Sequence, residues 1–101
     1  MQSIRIAEFQ VADHQVDAAV SAIRAKLIPR MEGAEGFEGG YWLLDETTGE
    51  GIAVTLWASP AARSEFGTAM KQAMEAGGLI SGTTIRDYPL VATARPHAAK
   101  V

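Results

Sequence analysis

Gly51-Ile52-Ala53-Val54-Thr55-Leu56-Trp57-Ala58-Ser59-Pro60 reads as a strand running into a helix. Successive side chains of a strand point to opposite sides, so Ile52, Val54 and Leu56 share one face and Ala53, Thr55 and Trp57 the other. Neither face carries a charge. A strand with one wet face alternates apolar with polar residues. This strand is therefore expected to be covered on both sides, and the chain must supply two covers. Ser59-Pro60 then has the form of a helix start. A serine oxygen accepts a hydrogen bond from the first turn, and proline loses nothing at the first helical position.

The flanking segments follow the same logic. Asp45 to Gly51 has turn composition and joins two strand patterns, so it is expected to be a hairpin loop. Before it, Phe37 to Asp45 reads as a strand. Gly39-Gly40 suggests a bulge, Tyr41 and Leu43 share one face, and Trp42 and Leu44 share the other. Ser3 to Val11 alternates as a first strand, with Ile4 and Ile6 on one face and Arg5, Ala7 and Phe9 on the other. Asp13 stands where an N-cap belongs. Val16, Val20, Ile23, Leu27 and Met31, with Ala19, form the apolar stripe of a helix. That helix is expected to end or kink near Pro29, which has no N–H to donate, with Gly33 and Gly36 completing the exit.

After Pro60 a second helix carries the stripe Ala62, Phe66, Ala69, Met70, Ala73 and Met74, and Gly77-Gly78 ends it. Thr83 to Ala92 is expected to be the fourth strand, with Pro89 marking an edge or a bulge. The order β-α-β-β-α-β is the α+β, ferredoxin-like arrangement. It has a four-stranded antiparallel sheet with two helices on one face. Residues 1–94 make one domain and 95–101 a tail. The strands carry bulky apolar residues on both sides, whichever register they take, and an exposed patch of Phe, Trp, Tyr and Leu marks an interface. Two sheets packed about a two-fold axis would bury it. The expected assembly is a homodimer through the open sheet face, a dimeric α/β barrel.

Composition narrows the function classes. Apolar residues are 48% and charged residues 21%, as in an ordinary globular domain rather than a disordered chain. No apolar run approaches the ~20 residues that span a bilayer, and no signal pattern opens the chain. A cytoplasmic location with no membrane partner is expected. There is no cysteine, which removes disulfides, thiolate nucleophiles and cysteine-ligated metals. Six acids and no Lys or Arg lie between Glu32 and Pro60. No basic stripe suits nucleic acid. The two histidines, His14 and His97, have no metal-ligand spacing. No metal site is expected.

Glu35-Gly36-Phe37, Tyr41-Trp42-Leu43-Leu44 and Val54-Thr55-Leu56-Trp57-Ala58-Ser59 together resemble the antibiotic biosynthesis monooxygenase-like family of the dimeric α/β-barrel superfamily. The resemblance runs from Ile4 to about Val91. It implies the fold and the dimer. The family includes cofactor-independent oxygenases of aromatic polyketides, haem-degrading enzymes and quinol oxygenases. Haem-degrading relatives use a His on the second helix and an Asn on the first strand. This chain has no His between Val16 and Pro96 and no Asn, and Ala7 stands at the strand-one position. Haem degradation is disfavoured, and no cofactor is expected. The polyketide oxygenases use Asn, Trp, Tyr and Arg. Trp57 matches the Trp, while Arg86 and Tyr88 match by strand position and residue type.

The resemblance makes Trp57, Arg86 and Tyr88 the candidate catalytic residues. Trp57 is either a pocket wall for a planar ligand or a packing anchor. Arg86 either stabilises a phenolate or enolate, or forms a surface salt bridge. Tyr88 donates to the same oxyanion or sits at an interface. Phe9, Trp42, Thr55, Phe66, Met70 and Met74 are the candidate pocket residues, between sheet and helices. The expected function is a cofactor-independent monooxygenase acting on a small aromatic or polyketide-like compound. The alternative is a non-catalytic small-molecule-binding or structural protein of the same fold.

Overall fold

The computed structural model describes residues 1–62 and 78–96. Strand β1 (Ser3–Val11) leads into a helical segment, and β2 (Phe37–Leu44) and β3 (Glu50–Trp57) form a hairpin; β4 (Ile80–Pro89) closes the sheet. The four strands lie in the order β2-β3-β1-β4, and all neighbours are antiparallel. This is the ferredoxin-like α+β architecture.

The register separates two faces. Trp57, Thr55, Ala53 and Gly51 of β3 stand opposite Ser3, Arg5, Ala7 and Phe9 of β1. Directly opposed residues share a face. Phe9 and Val11 are buried against Ala19 and Ile80, so this set faces the helix. The other set, Ile4 and Ile6 with Val54 and Leu56, faces away. With it lie Tyr41, Leu43, Ile52 and Tyr88, all exposed, Tyr41 at 75%. Both faces of β3 are apolar, as its sequence implies, and one of them is uncovered within the single chain.

The β2 pairing shifts between Phe37 and Gly39. Gly39 takes φ +146, a conformation side chains rarely adopt. This is the bulge expected from the glycine pair. It puts Phe37, Gly40, Trp42 and Leu44 together on the helix side.

The first helix differs from expectation at its start. It starts at Val16 after Gln15, and no side chain caps it. Asp13 is not the N-cap, because the chain turns through His14 at φ 62 before the helix begins. Near Pro29 the regular α-helix is interrupted, and it ends at Glu32 with Gly33 as the C-cap, the expected exit. It runs as α1 (Val16–Ala22), a π-helical segment (Ile23–Leu27) and α2 (Ile28–Glu32). The Ile28 N–H reaches the Ile23 carbonyl, five residues back. Pro29 therefore falls in the first turn of α2, where its missing N–H is harmless. Ala19, Ile23, Leu27 and Met31 are all buried. Steps of four residues overshoot an α-helical turn by about 40° each, and the wider π turn offsets that drift.

The hairpin loop is tighter than expected, because β2 ends at Leu44 and β3 starts at Glu50. β4 begins at Ile80 and ends at Pro89, three residues earlier at each end than its composition suggests. Gly82, at φ 62, sits where β4 slips register against Glu8 and Gln10. A strand interrupted that way loses its alternating pattern. β4 is an edge strand, which suits Pro89. Ser59 Oγ accepts from the Ala62 N–H at 3.2 Å, so the expected helix start is in place. Ala62 packs on the Trp57 cluster. The rest of the second stripe, from Phe66 to Met74, lies outside the described residues.

Candidate functional site

Trp57 closes β3 and is 1% exposed. Its indole Nε1–H donates to Thr55 Oγ1 at 2.9 Å. Phe37 meets its ring edge-on, with centroids 5.3 Å apart and planes 68° apart. Ile23, Leu27 and Met31 back it from the helix. The aromatic bulk thus lies at the Trp57 end of the helix-side face.

One step along β3, a polar row crosses the sheet. Gly40, Thr55, Arg5 and Asp87 are paired in sequence across β2, β3, β1 and β4. Arg5 Nε donates to Asp87 Oδ1 at 2.9 Å and its Nη2 to Oδ2 at 3.3 Å. The two side chains are 15% and 28% exposed. Half-buried bidentate pairs hold geometry better than loose surface pairs. Beyond this row the facing positions are Ala7 and Ala53, both small. A Cβ at Gly40 would lie 3.2 Å from both the Trp42 ring and Thr55 Cγ2. Small residues therefore border the polar row, with Trp42 and Trp57 at its β2 and β3 side.

The expected sites divide accordingly. Thr55, Trp42 and Trp57 are on the helix side. Phe9 is too, but it packs in a separate cluster with Val11, Ala19 and Ile80, and its ring covers Gly51. Arg86 pairs with Ile6 and Tyr88 with Ile4, so both lie on the open face. They do not share a site with Trp57. The alternation is decisive: Asp87, between them, lies on the helix side, opposite Arg5. Phe66, Met70 and Met74 lie outside the described residues. Arg5 and Asp87 were not singled out by sequence reasoning. The signal was present, in a charged residue on the same strand face as Phe9 and an acid flanked by Arg86 and Tyr88.

A groove lies between the helix and the β2 edge. This groove of about 580 Å³ has Val20, Ile23, Ile28, Phe37 and Trp42 as its apolar lining and Arg24 and Glu32 among its polar residues. Trp42 is thus reachable from the sheet edge.

Solved structures share this architecture. SnoaB, a cofactor-independent oxygenase from Streptomyces nogalater, superposes with a TM-score of 0.69 at 14% identity, covering 95% of this chain and 98% of its own. A Deinococcus radiodurans protein assigned as an antibiotic biosynthesis monooxygenase gives 0.72 at 13%, covering 94% and 98%. The fold is that of the antibiotic biosynthesis monooxygenases. The haem-degrader MhuD from Mycobacterium tuberculosis, with two haems bound in its active site, gives 0.72 at 17%, covering 92% and 99%. No protein-family model and no curated protein matches the chain by sequence.

Among the described residues none is placed for haem ligation by histidine, and His97 lies outside them. His14 is exposed in the turn before α1, and no histidine occurs from Gln15 to Pro96. Among the described residues no group of His, Cys, Asp or Glu is arranged to hold a metal ion. No described helix is long and apolar enough to cross a membrane.

Proposed function

We propose that this protein is a cofactor-independent monooxygenase of a small aromatic, polyketide-like compound, bound on the helix-side face beside Trp57. The supporting observation is the arrangement of that face. An aromatic wall of Trp57 and Phe37 stands one step from the polar row of Thr55, Arg5 and Asp87, in a fold shared with a cofactor-independent oxygenase. The reaction this suits is oxidation of an activated methylene to a carbonyl. Loss of a proton leaves a carbanion delocalised into the aromatic system. Its electrons reduce O₂, one oxygen atom forms the carbonyl and the other leaves as water. The substrate is the only reductant. Donors on the polar row would stabilise the enolate oxygen, which is where charge develops.

The test is oxygen uptake with 1,8-dihydroxyanthrone and a soluble quinol. The expected result is one O₂ consumed per anthrone, with the anthraquinone as product, and at least a tenfold loss in Trp57→Ala. No uptake above the spontaneous rate across such a panel would remove the oxygenase. Binding without turnover is the second reading. It is favoured by Arg86 and Tyr88 lying on the far face, which withdraws two candidate groups from the chemistry.

We also propose that a second copy of the chain covers the open sheet face. Tyr41, Leu43, Ile52 and Tyr88 are too large and apolar a set to be left in water without cause.

A further inference from the structure

We propose that Arg5 and Thr55 form an oxyanion subsite, so that the ligand carries an ionised phenol, enol or carboxylate. The inference rests on the preceding reading only for where the ligand lies. The two residues are directly opposed across β1 and β3, so both side chains rise from the same patch of the helix-side face. Thr55 Oγ1 already accepts from the Trp57 indole, so its own O–H is left to donate. Arg5 gives Asp87 its Nε–H and one Nη2–H. A guanidinium has five N–H groups in a planar fork. Among the described residues Asp87 is its only acceptor, which leaves the Nη1 edge to a further one.

Asp87 also fixes which edge of Arg5 is presented. By holding Nε and Nη2 from the β4 side, it turns the remaining donors away from β4. The next opposed pair along the two strands, Ala7 and Ala53, is small. Half-buried donors of this kind discriminate strongly between a charged acceptor and its neutral isostere, since charge-assisted hydrogen bonds are about twice as strong as neutral ones. Asp87 opposes the same anion by its charge. It is therefore a positioning residue, whose removal should help an anion bind while removal of Arg5 should hinder it.

The experiment measures binding of 1-naphthoate and of its neutral isostere 1-naphthamide by calorimetry, in the wild type and in Arg5→Gln and Asp87→Asn. Circular dichroism checks that each variant is folded. The wild type is expected to prefer naphthoate by on the order of tenfold. Arg5→Gln should abolish the preference with naphthamide binding retained, and Asp87→Asn should keep or increase it. Both variants break the same ion pair, so equal weakening of naphthoate in both would mean a structural role only and would overturn the subsite. So would no preference in the wild type, or no binding of either probe at millimolar concentration. Turnover is not involved. Naphthoate bound through Arg5 without any oxygen uptake would leave the subsite and sink the oxygenase. Oxygen uptake unaltered in Arg5→Gln would do the reverse.

Discussion

Trp57 joins the core to the candidate site, and its replacements separate the two contributions. Trp57→Phe keeps an aromatic ring against Phe37 but removes the indole donor from Thr55. We expect a loss of roughly 1–3 kcal/mol, read from the urea midpoint, against about 3–5 kcal/mol for Trp57→Ala. Gly51 is constrained differently. The Phe9 ring occupies the space where a Cβ would stand. Gly51→Ala should cost roughly 1–3 kcal/mol by displacing that ring, and near-ultraviolet dichroism should change with it. At the hairpin, Asp45 Oδ1 accepts from the backbone N–H groups of Thr47 at 2.8 Å and Thr48 at 3.1 Å. The Thr48 bond, then the Thr47 bond, hold its carboxyl below the ordinary aspartate range. A depressed carboxyl stabilises the folded hairpin above the unfolded value of about 3.9. That contribution is lost as pH falls through the folded value. An NMR titration of the Asp45 carboxyl carbon should have its midpoint below that of an unstructured peptide; an equal midpoint would show the turn does not hold in solution.

The β2 bulge and the π turn both adjust periodicity, and they differ in how legible they are. Gly39-Gly40 announces the bulge, because few other residues accept φ +146. No atom lies within 4 Å of a Cβ built on Gly39. Gly39→Ala therefore isolates the backbone cost, and we expect a loss of about 1–2 kcal/mol in thermal unfolding with no change in core contacts. The π segment leaves a subtler trace. Ala19, Ile23, Leu27 and Met31 recur every four residues, which an undistorted helix cannot keep in line, and Pro29 marks where the hydrogen bonding must change. A proline read alone suggests an end. Read with the four-residue spacing, it is compatible with continuation. The missed N-cap has a plainer cause. Asp13 has the right chemistry, but the positive φ of His14 carries the chain past it before the first helical turn.

A sheet with one uncovered apolar face should associate. Val54 lies on the open face of β3, opposite Ile6 and Tyr41. If a second copy covers that face, light scattering coupled to size exclusion should give a dimer for the wild type. It should give a monomer for Val54→Glu, whose charge would be buried without a partner. A wild-type monomer at micromolar concentration would contradict the proposed interface.

Element types, their order and the apolar character of both sheet faces were readable from residues alone, because strand alternation and helical spacing are local. From them followed the α+β class, the Ser59 cap, the Gly39 bulge and the packing face of the first helix. Which side chains share a site was not readable. Arg86, Asp87 and Tyr88 are consecutive, and a period of two makes their faces depend wholly on register. That register is set by pairing with β1 residues 80 to 84 positions away in the chain. The long-range pairing turns Arg86 and Tyr88 to the open face and brings Asp87 to Arg5, and so moves the polar half of the candidate site to two residues whose local signals only the pairing connects.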